Sequence, residues 1–351
     1  MRVEEKLITS VKEFETLASI WKELDSGEDM TAFQSYDWNR LLIEEFFSDL
    51  YNRLFAKVKI YIAVKRGKAI MILPVIVQKI TLKILWWGRK KGSYILGEGS
   101  FSDYLNFVYL NFDEQALNEI VNKLPRPLSF NCIRCETDIA KYFDKMNGII
   151  HTSPSVFVEL ESCVEDYLAK LSKSVRQNLR TASNRINKAE LTYNLCVFDG
   201  KLDVQLAKEL ICMHDIRAKT KNNKHDRKGL HWISRWIRNK YKEYQNRHYN
   251  IVYSSMISNA SGVTIVPYIN GAPVGYMYGM KDNKAIRIMH NCFKEEYKFY
   301  SPMFKGAFDF ICEEMQSKKY KVKQIDFTSG NEIYKFQLGG KELLLNNYYI
   351  Q

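Results

Sequence analysis

The sequence predicts a mixed α/β protein built as two comparable halves joined by a basic helix. Three observations predict it. A strand, a glycine turn and a second strand run from Ile60 to Val77. The same succession returns from Gly262 to Met280. Between the two, Val164 to Glu190 repeats apolar residues at spacings of three and four, the stripe of a helix. The expected divisions are 1–160, a connecting helix over 161–190, and 191–351.

In the first half, Ile60–Val64 and Ala69–Val77 flank the turn at Lys65–Lys68. Leu105–Leu110 follows as a strand, Asp113–Leu124 as a helix and Leu128–Cys132 as a further strand. On the connecting helix Leu168, Leu171, Val175, Leu179, Ala182 and Ile186 form the stripe, and Lys173, Arg176 and Arg180 gather on a flank. That flank is either a solvated face or an edge that grips an anion. A second helix, Val204–Ile216, carries His214, with Arg217 just beyond it. The polar stretch Lys219–Lys228 reads as a mobile loop or lid, and Trp232, Trp236 and Ile237 resume an apolar helical face. The second half continues with Gly262–Ile269, the hairpin turn Asn270-Gly271 and Ala272–Met280. A third strand, Ala285–Cys292, a helix from Met303 to Gln316 and a strand, Val322–Phe327, complete it. Strands, then a helix, then a strand predict a mixed sheet with a crossover helix.

Composition bounds the partners. A chain of 351 residues that is 46% hydrophobic can bury two substantial cores. Lys170 to Arg247 holds 19 Lys or Arg against 7 Asp or Glu, a net of +12 that equals the charge of the whole chain. Such a stretch focuses an anionic, phosphate-bearing partner. Seven cysteines, an odd number, and six histidines are spread along the chain; neither a disulfide scaffold nor a metal site is expected, and a reducing cytoplasm is the easier setting. No charged leader precedes an apolar run, and Ala69–Val77 is far too short to span a bilayer, so no stable membrane insertion is expected.

Three motifs, in order, carry a resemblance. Phe33-Gln-Ser-Tyr-Asp-Trp38 resembles the opening motif of the acetyltransferase-like proteins grouped with the cellulose-biosynthesis CelD/BcsL proteins. Leu171-Ser-Lys-Ser-Val-Arg-Gln-Asn-Leu-Arg180 is similar to their basic central helix, and Ile325-Asp-Phe-Thr-Ser-Gly-Asn-Glu-Ile-Tyr-Lys335 to their closing signature. The resemblance implies tandem GNAT-like acyltransferase domains, distantly similar to the Fem peptidyltransferases. It implies acyl-CoA as co-substrate, or an aminoacyl group from charged tRNA, and a small-molecule or saccharide amine as acceptor. Relatives act in cell-envelope, polysaccharide or secondary-metabolite synthesis. Typical CoA-binding members carry a glycine-rich pyrophosphate loop. The matching stretch here, Phe299–Ala307, holds only Gly306. Ser301 and Pro302 still suit the first positions of a helix whose amides, over Met303, Phe304, Lys305 and Gly306, can meet phosphate. Arg176 and Arg180 would add charge.

Acyl transfer to an amine needs a neutral nucleophile, a polarised carbonyl and an outlet for the amine proton. Asp326 is a candidate base, or a carboxylate that bonds turn amides. Tyr334 is a candidate acid for a leaving thiolate, or a packed ring with a satisfied hydroxyl. Lys335 is a candidate phosphate clamp or carbonyl stabiliser, and Glu332 a weaker one for the same region. His214 and His290 titrate near neutrality and are further candidate bases. Tyr36 and Trp38 either line an acceptor groove or anchor the first half. No nucleophilic serine or cysteine stands out, so direct attack by the acceptor is expected. A basic nucleic-acid-binding protein is the competing class, though no reading motif accompanies the charge.

Overall fold

The computed structural model describes residues 1–79, 91–99, 101–224 and 250–351, and their side chains apart from 215 and 218–224. The chain folds as two compact units, Met1–Ser155 with Glu342–Gln351, and Val156–Lys341. The expected divisions at 160 and 190 differ from this. Residues 161–190 fold inside the second unit, because Leu171, Val175 and Leu179 of the helical stripe belong to its core.

The first unit opens with strand β1 (Arg2–Ile8) and helices α1 (Val11–Glu15), α2 (Ala18–Leu24), α3 (Tyr36–Ser48) and α4 (Leu50–Phe55). Strands β2 (Ala56–Lys65), β3 (Lys68–Gln78), β4 (Gly92–Ile95) and β5 (Val108–Tyr109) follow. Helix α5 (Glu114–Lys123), β6 (Leu128–Arg134), α6 (Asp138–Asp144) and the start of β7 (Ile149–Glu159) complete it. β1 to β4 pair antiparallel in chain order, and β4 pairs parallel with β6 through the crossover α5. The strand expected over Leu105–Leu110 shrinks to β5; Tyr104 just before it is left-handed, with φ 54°. Tyr36 and Trp38 are core residues, not a groove. Tyr36 stacks on Phe14 at 5.4 Å, and the fully buried Trp38 donates from Nε1 to Ser102 Oγ at 2.9 Å.

The second unit adds α7 (Val164–Lys170), α8 (Lys173–Lys188), β8 (Tyr193–Asp199), α9 (Val204–Lys224) and α10 (250–258). Strands β9 (Gly262–Ile269), β10 (Ala272–Pro273), β11 (Gly275–Lys281) and β12 (Ala285–Phe293) lead into α11 (Pro302–Ser317), β13 (Gln324–Ser329) and α12 (Ile333–Gln337). The final strand, β14 (Lys341–Ile350), belongs from Glu342 on to the first unit and pairs there with β6. The single helix expected over Val164–Glu190 is two, since Leu171 is extended and the Ser172 hydroxyl caps α8 by accepting from Val175 N–H at 3.3 Å. Helix α9 runs on to Lys224, so the expected loop begins as helix. Residues 225–228, with Trp232, Trp236 and Ile237, lie outside the described residues.

Strands β8, β9, β11 and β12 pair antiparallel, and the predicted turn forms with Asn270 and Gly271 both left-handed, at φ 50° and 75°. β12 then pairs parallel with β13 through the crossover α11. The inner face of α11, Ala307, Phe310, Ile311 and Met315, packs on Ile265, Met277, Ile288 and Phe327. Each such side chain contributes about 1.5–3 kcal/mol on burial. This repeats the β3–β4–α5–β6 succession of the first unit.

Candidate functional site

Two features of β12 open a cleft in the second unit. The parallel pairing with β13 covers only Ala285–Arg287 against Gln324–Asp326, so both strands lack that partnership toward their carboxyl ends. A bulge shifts the register at Tyr278/Gly279, leaving one extra residue in β12 between Ile288 and His290. Gly279 permits it: a Cβ there would lie 2.4 Å from the Arg287 carbonyl oxygen. Carboxyl ends of parallel strands are where open α/β sheets leave room for ligands.

Two cavities fill that region and meet at Ser301, Phe304 and Tyr334. One, of about 240 Å³, is mostly apolar, with Met277, Phe293 and Met303 beside Asn291. The other, of about 260 Å³, is polar, with Asn178, Thr181, Arg185 and Gln337. A larger cavity of about 620 Å³ lies at the opposite end of α11, by Glu314 and Lys318. It borders Gln324, at the amino end of β13, and both Glu314 oxygens accept from the Tyr320 amide. The chemistry favours the paired cavities.

Tyr334 is the one sequence candidate for catalysis that the structure brings into them. It stands at the first turn of α12, its ring edge-on to Phe327 at 5.9 Å. Burial pushes its phenol well above the ordinary range and the Glu332 carboxylate adds to this, while a hydrogen bond from Asn291 opposes them. A phenol is protonated at neutral pH in any case; the upward push makes it hold that proton more tightly, and the hydrogen bond from Asn291 counters the push.

Asp326 and Lys335 are committed elsewhere. Asp326 is fully buried in β13, where Oδ2 accepts from Arg287 Nη1 at 2.5 Å and Oδ1 from the Thr328 amide at 2.8 Å. Arg287 also pairs with Asp282 at 2.5 Å. A carboxylate held this way is a structural anion, not a base awaiting an amine. Lys335 is 3% exposed, and its ammonium donates to the Thr328, Ser329 and Gly330 carbonyls at 3.2, 2.8 and 3.3 Å and pairs with Glu332 at 2.9 Å. It ties the turn that presents Tyr334 and has no donor left for a phosphate. The closing signature thus supplies Asp326 and Lys335 to the support of the strand and turn, and Tyr334 to the wall of both cavities.

Of the residues expected to hold a cofactor, Ser301, Met303 and Phe304 line the cleft. Ser301 occupies the N-cap position with a left-handed backbone (φ 51°) and makes no side-chain cap, and Pro302 begins the helix. The amides of Met303 and Phe304 have no intrahelical acceptor at that position. Lys305 turns away, pairing with Asp309 at 2.9 Å and lying 4.5 Å over the Tyr193 ring. Gly306 faces the sheet, where a Cβ would meet Leu195 at 3.5 Å and Pro267 at 3.7 Å; it is a packing position, not a phosphate loop.

Helix α8 reaches the cleft by a different arginine from those expected. Arg176 donates to the Leu168 and Leu171 carbonyls at 2.9 and 3.0 Å, closing the end of α7, and Arg180 is exposed outside both cavities. At about 100° per residue, Arg176 and Arg180 fall about 100° and 140° round from Val175 on one side, and Arg185 about 80° round on the other. Asn178 and Thr181 share the Arg185 flank, and that flank meets α11. Placing each polar residue relative to the apolar stripe would have found Arg185 in the sequence. Asn291 was legible only once the bulge in β12 was known.

The two histidines sit behind the sheet. Asn291 lines the cavity, so its neighbour His290 projects from the opposite face. It is 7% exposed, stacked on Tyr276 at 5.5 Å and 5.2 Å from the His214 ring. His214, on α9, lines neither cavity. Burial, and next the charge of His214, push the His290 imidazole down to about 3 from an ordinary 6.5, so it is neutral at physiological pH. Unfolded, it takes up a proton below about 6.5. The neutral burial of His290 therefore contributes stability in full above that pH and progressively less down to about 3. His290→Gln is expected to flatten this acid loss in urea unfolding compared at about pH 7 and about pH 4.5. An unchanged difference between the two pH values would contradict it.

Among the described residues no three His, Cys, Asp or Glu side chains converge as a metal site, and no helix is long and apolar enough to cross a membrane. A family model described as acetyltransferase (GNAT) domain matches residues 173–336. No protein of curated function matches the sequence. A conserved protein of unknown function from Bacteroides thetaiotaomicron shares the fold over 100% of both chains, with 12% identity and a TM-score of 0.53. The crystal structure of FemX is similar over 99% of this chain and 97% of its own, with 9% identity and a TM-score of 0.53. L-PGS from Bacillus licheniformis is similar over 98% and 93%, with 11% identity and a TM-score of 0.50. At such identities the likeness is one of fold, and it extends along the whole chain.

Proposed function

We propose that this acyltransferase, whose second unit carries a GNAT acetyltransferase domain, moves an acyl group from a thioester on a phosphate-bearing carrier to an amine by direct attack. The observation that carries this is the Tyr334 phenol at the junction of an apolar and a polar cavity, beside the first turn of α11. The apolar cavity suits the acyl and thioester end of a donor, and the polar one its carrier. The amine nitrogen adds to the thioester carbonyl, and the carbon–sulfur bond then breaks. The departing thiolate takes the proton of Tyr334, the amine loses a proton to water, and solvent reprotonates the phenol. Acyl-CoA is the donor this arrangement fits best.

A second reading, aminoacyl transfer from charged tRNA, is supported by α8, which carries Lys173, Arg176, Arg180, Arg185 and Lys188 and no carboxylate. The three ordered motifs support a kinship with the CelD/BcsL kind. The parallel β4–α5–β6 crossover supports reading the first unit as a second GNAT-like domain. An odd number of cysteines supports a cytoplasmic setting. Roles in cell-envelope or secondary-metabolite synthesis follow from the same kinship.

The test is a thermal-shift and turnover panel of acetyl-CoA, longer acyl-CoAs, free CoA and aminoacyl-tRNA, with amino sugars and amino acids as acceptors. Acyl-CoAs are expected to raise the melting temperature by preferential binding to the folded state and to support transfer. Stabilisation by aminoacyl-tRNA alone would select the second reading, and no response to any donor would remove both.

A further inference from the structure

We propose that Arg185, with Asn178 and Thr181 of α8, grips a phosphate of the acyl donor's carrier and so sets the enzyme's preference for phosphate-bearing donors. This rests on the thioester reading above. α8 precedes the strand–helix–strand core that builds the cleft, and it supplies one wall of the polar cavity. Three observations converge on Arg185. Its Nη1 donates to the Phe299 carbonyl at 2.9 Å, and its guanidinium lies 4.4 Å over the Phe299 ring, so the side chain is already held in place. Its remaining N–H groups form a planar fork suited to phosphate oxygens. The cavity it shares with Tyr334 contains no carboxylate, and its other polar groups, on Asn178, Thr181, Ser301 and Gln337, are neutral hydrogen-bonding side chains.

Charge on the flanking segments agrees. Glu295 and Glu332 are engaged by Lys298 at 3.4 Å and Lys335 at 2.9 Å. An anion entering beside Ser301 thus meets the arginine with little opposing charge. The start of α11 has no glycine run, and Pro302 removes one amide, so α8 supplies the phosphate contact from the side. The ring of Phe299 covers one face of the guanidinium, 4.4 Å away.

Two variants, Arg185→Met and Arg185→Lys, separate this role from a structural one. Each is assayed with an acyl-CoA and with the same acyl group on pantetheine, which lacks the nucleotide phosphates. Loss of a charge-assisted phosphate contact is expected to raise KM for acyl-CoA about 10- to 100-fold in the Met variant, less in the Lys variant, with kcat little changed. With acyl-pantetheine both variants are expected to match the parent within about twofold, since no phosphate contact exists to lose. An equal fall with both donors would make Arg185 a purely structural residue and overturn the proposal. A binding arm, with free CoA and uncharged tRNA as probes, distinguishes the two phosphate sources and does not depend on turnover. If the parent transfers from neither donor, the thioester reading fails by itself. The phosphate grip then stands if Arg185→Met weakens either probe, and falls if the parent binds neither or the variant binds both equally.

Discussion

Replacing Tyr334 by phenylalanine is expected to lower kcat by about 10²- to 10³-fold while leaving the fold and donor affinity close to those of the parent. The ring remains, so its edge-on packing against Phe327 at 5.9 Å is kept and the cavity walls do not move. Only the proton donor is lost, and the thiolate must then leave unprotonated or take its proton from water. Because burial and Glu332 push the phenol up, the parent's alkaline loss of activity is expected above the ordinary tyrosine range, not near its usual midpoint of 10. Asn291 opposes that shift, so Asn291→Ala is expected to carry the alkaline limb higher still. The check is a pH–rate profile of kcat with a saturating acyl donor, set beside unfolding curves of each variant. A Tyr334→Phe enzyme turning over within about threefold of the parent would remove the phenol from the mechanism.

The fold was legible where local signals were strong. The Asn270-Gly271 turn, the short apolar runs of β2, β3, β9 and β11 bounded by glycine turns, and the three-four stripe of α8 each specify their element without tertiary help. What the sequence hides is which polar residues end up inside. Asp326 and Lys335 share a signature with Tyr334, and the residue types alone allow all three to be chemical. Burial divides them: the first neutralises Arg287 and the second binds three carbonyls, so two of the three serve the scaffold. On α8 the difference is one of angle. Arg176 and Arg180 form an attractive basic pair, yet the stripe through Val175 and Leu179 turns them away from α11 and turns Arg185 toward it. The cleft itself depends on a strand pairing that stops after Arg287–Asp326 and on a bulge, neither of which any local pattern announces.

The opposite behaviour is expected at Asp326, where substitution should unfold the enzyme more than it impairs the chemistry of molecules still folded. Asp326→Ala removes the acceptor of the Thr328 amide and one of two carboxylates that neutralise a 2%-exposed Arg287. Removing one partner of a buried ion pair costs about 3–5 kcal/mol, a large fraction of the stability of a typical domain. Asp326→Asn retains a carbonyl for the Thr328 amide but not the charge, so its loss should be smaller, with Asp282 left to balance Arg287. Urea unfolding of parent, Asn and Ala forms, with turnover normalised to the folded fraction, reads both effects at once. The expected order of stability is parent, Asn, Ala, with turnover per folded molecule falling far less than in Tyr334→Phe. An Asn form as stable as the parent but inactive would mean that the carboxylate takes part in the reaction. The acyl-transfer site would then have two reacting groups on its closing signature, and Arg287 would be there to tune a base instead of to hold a strand.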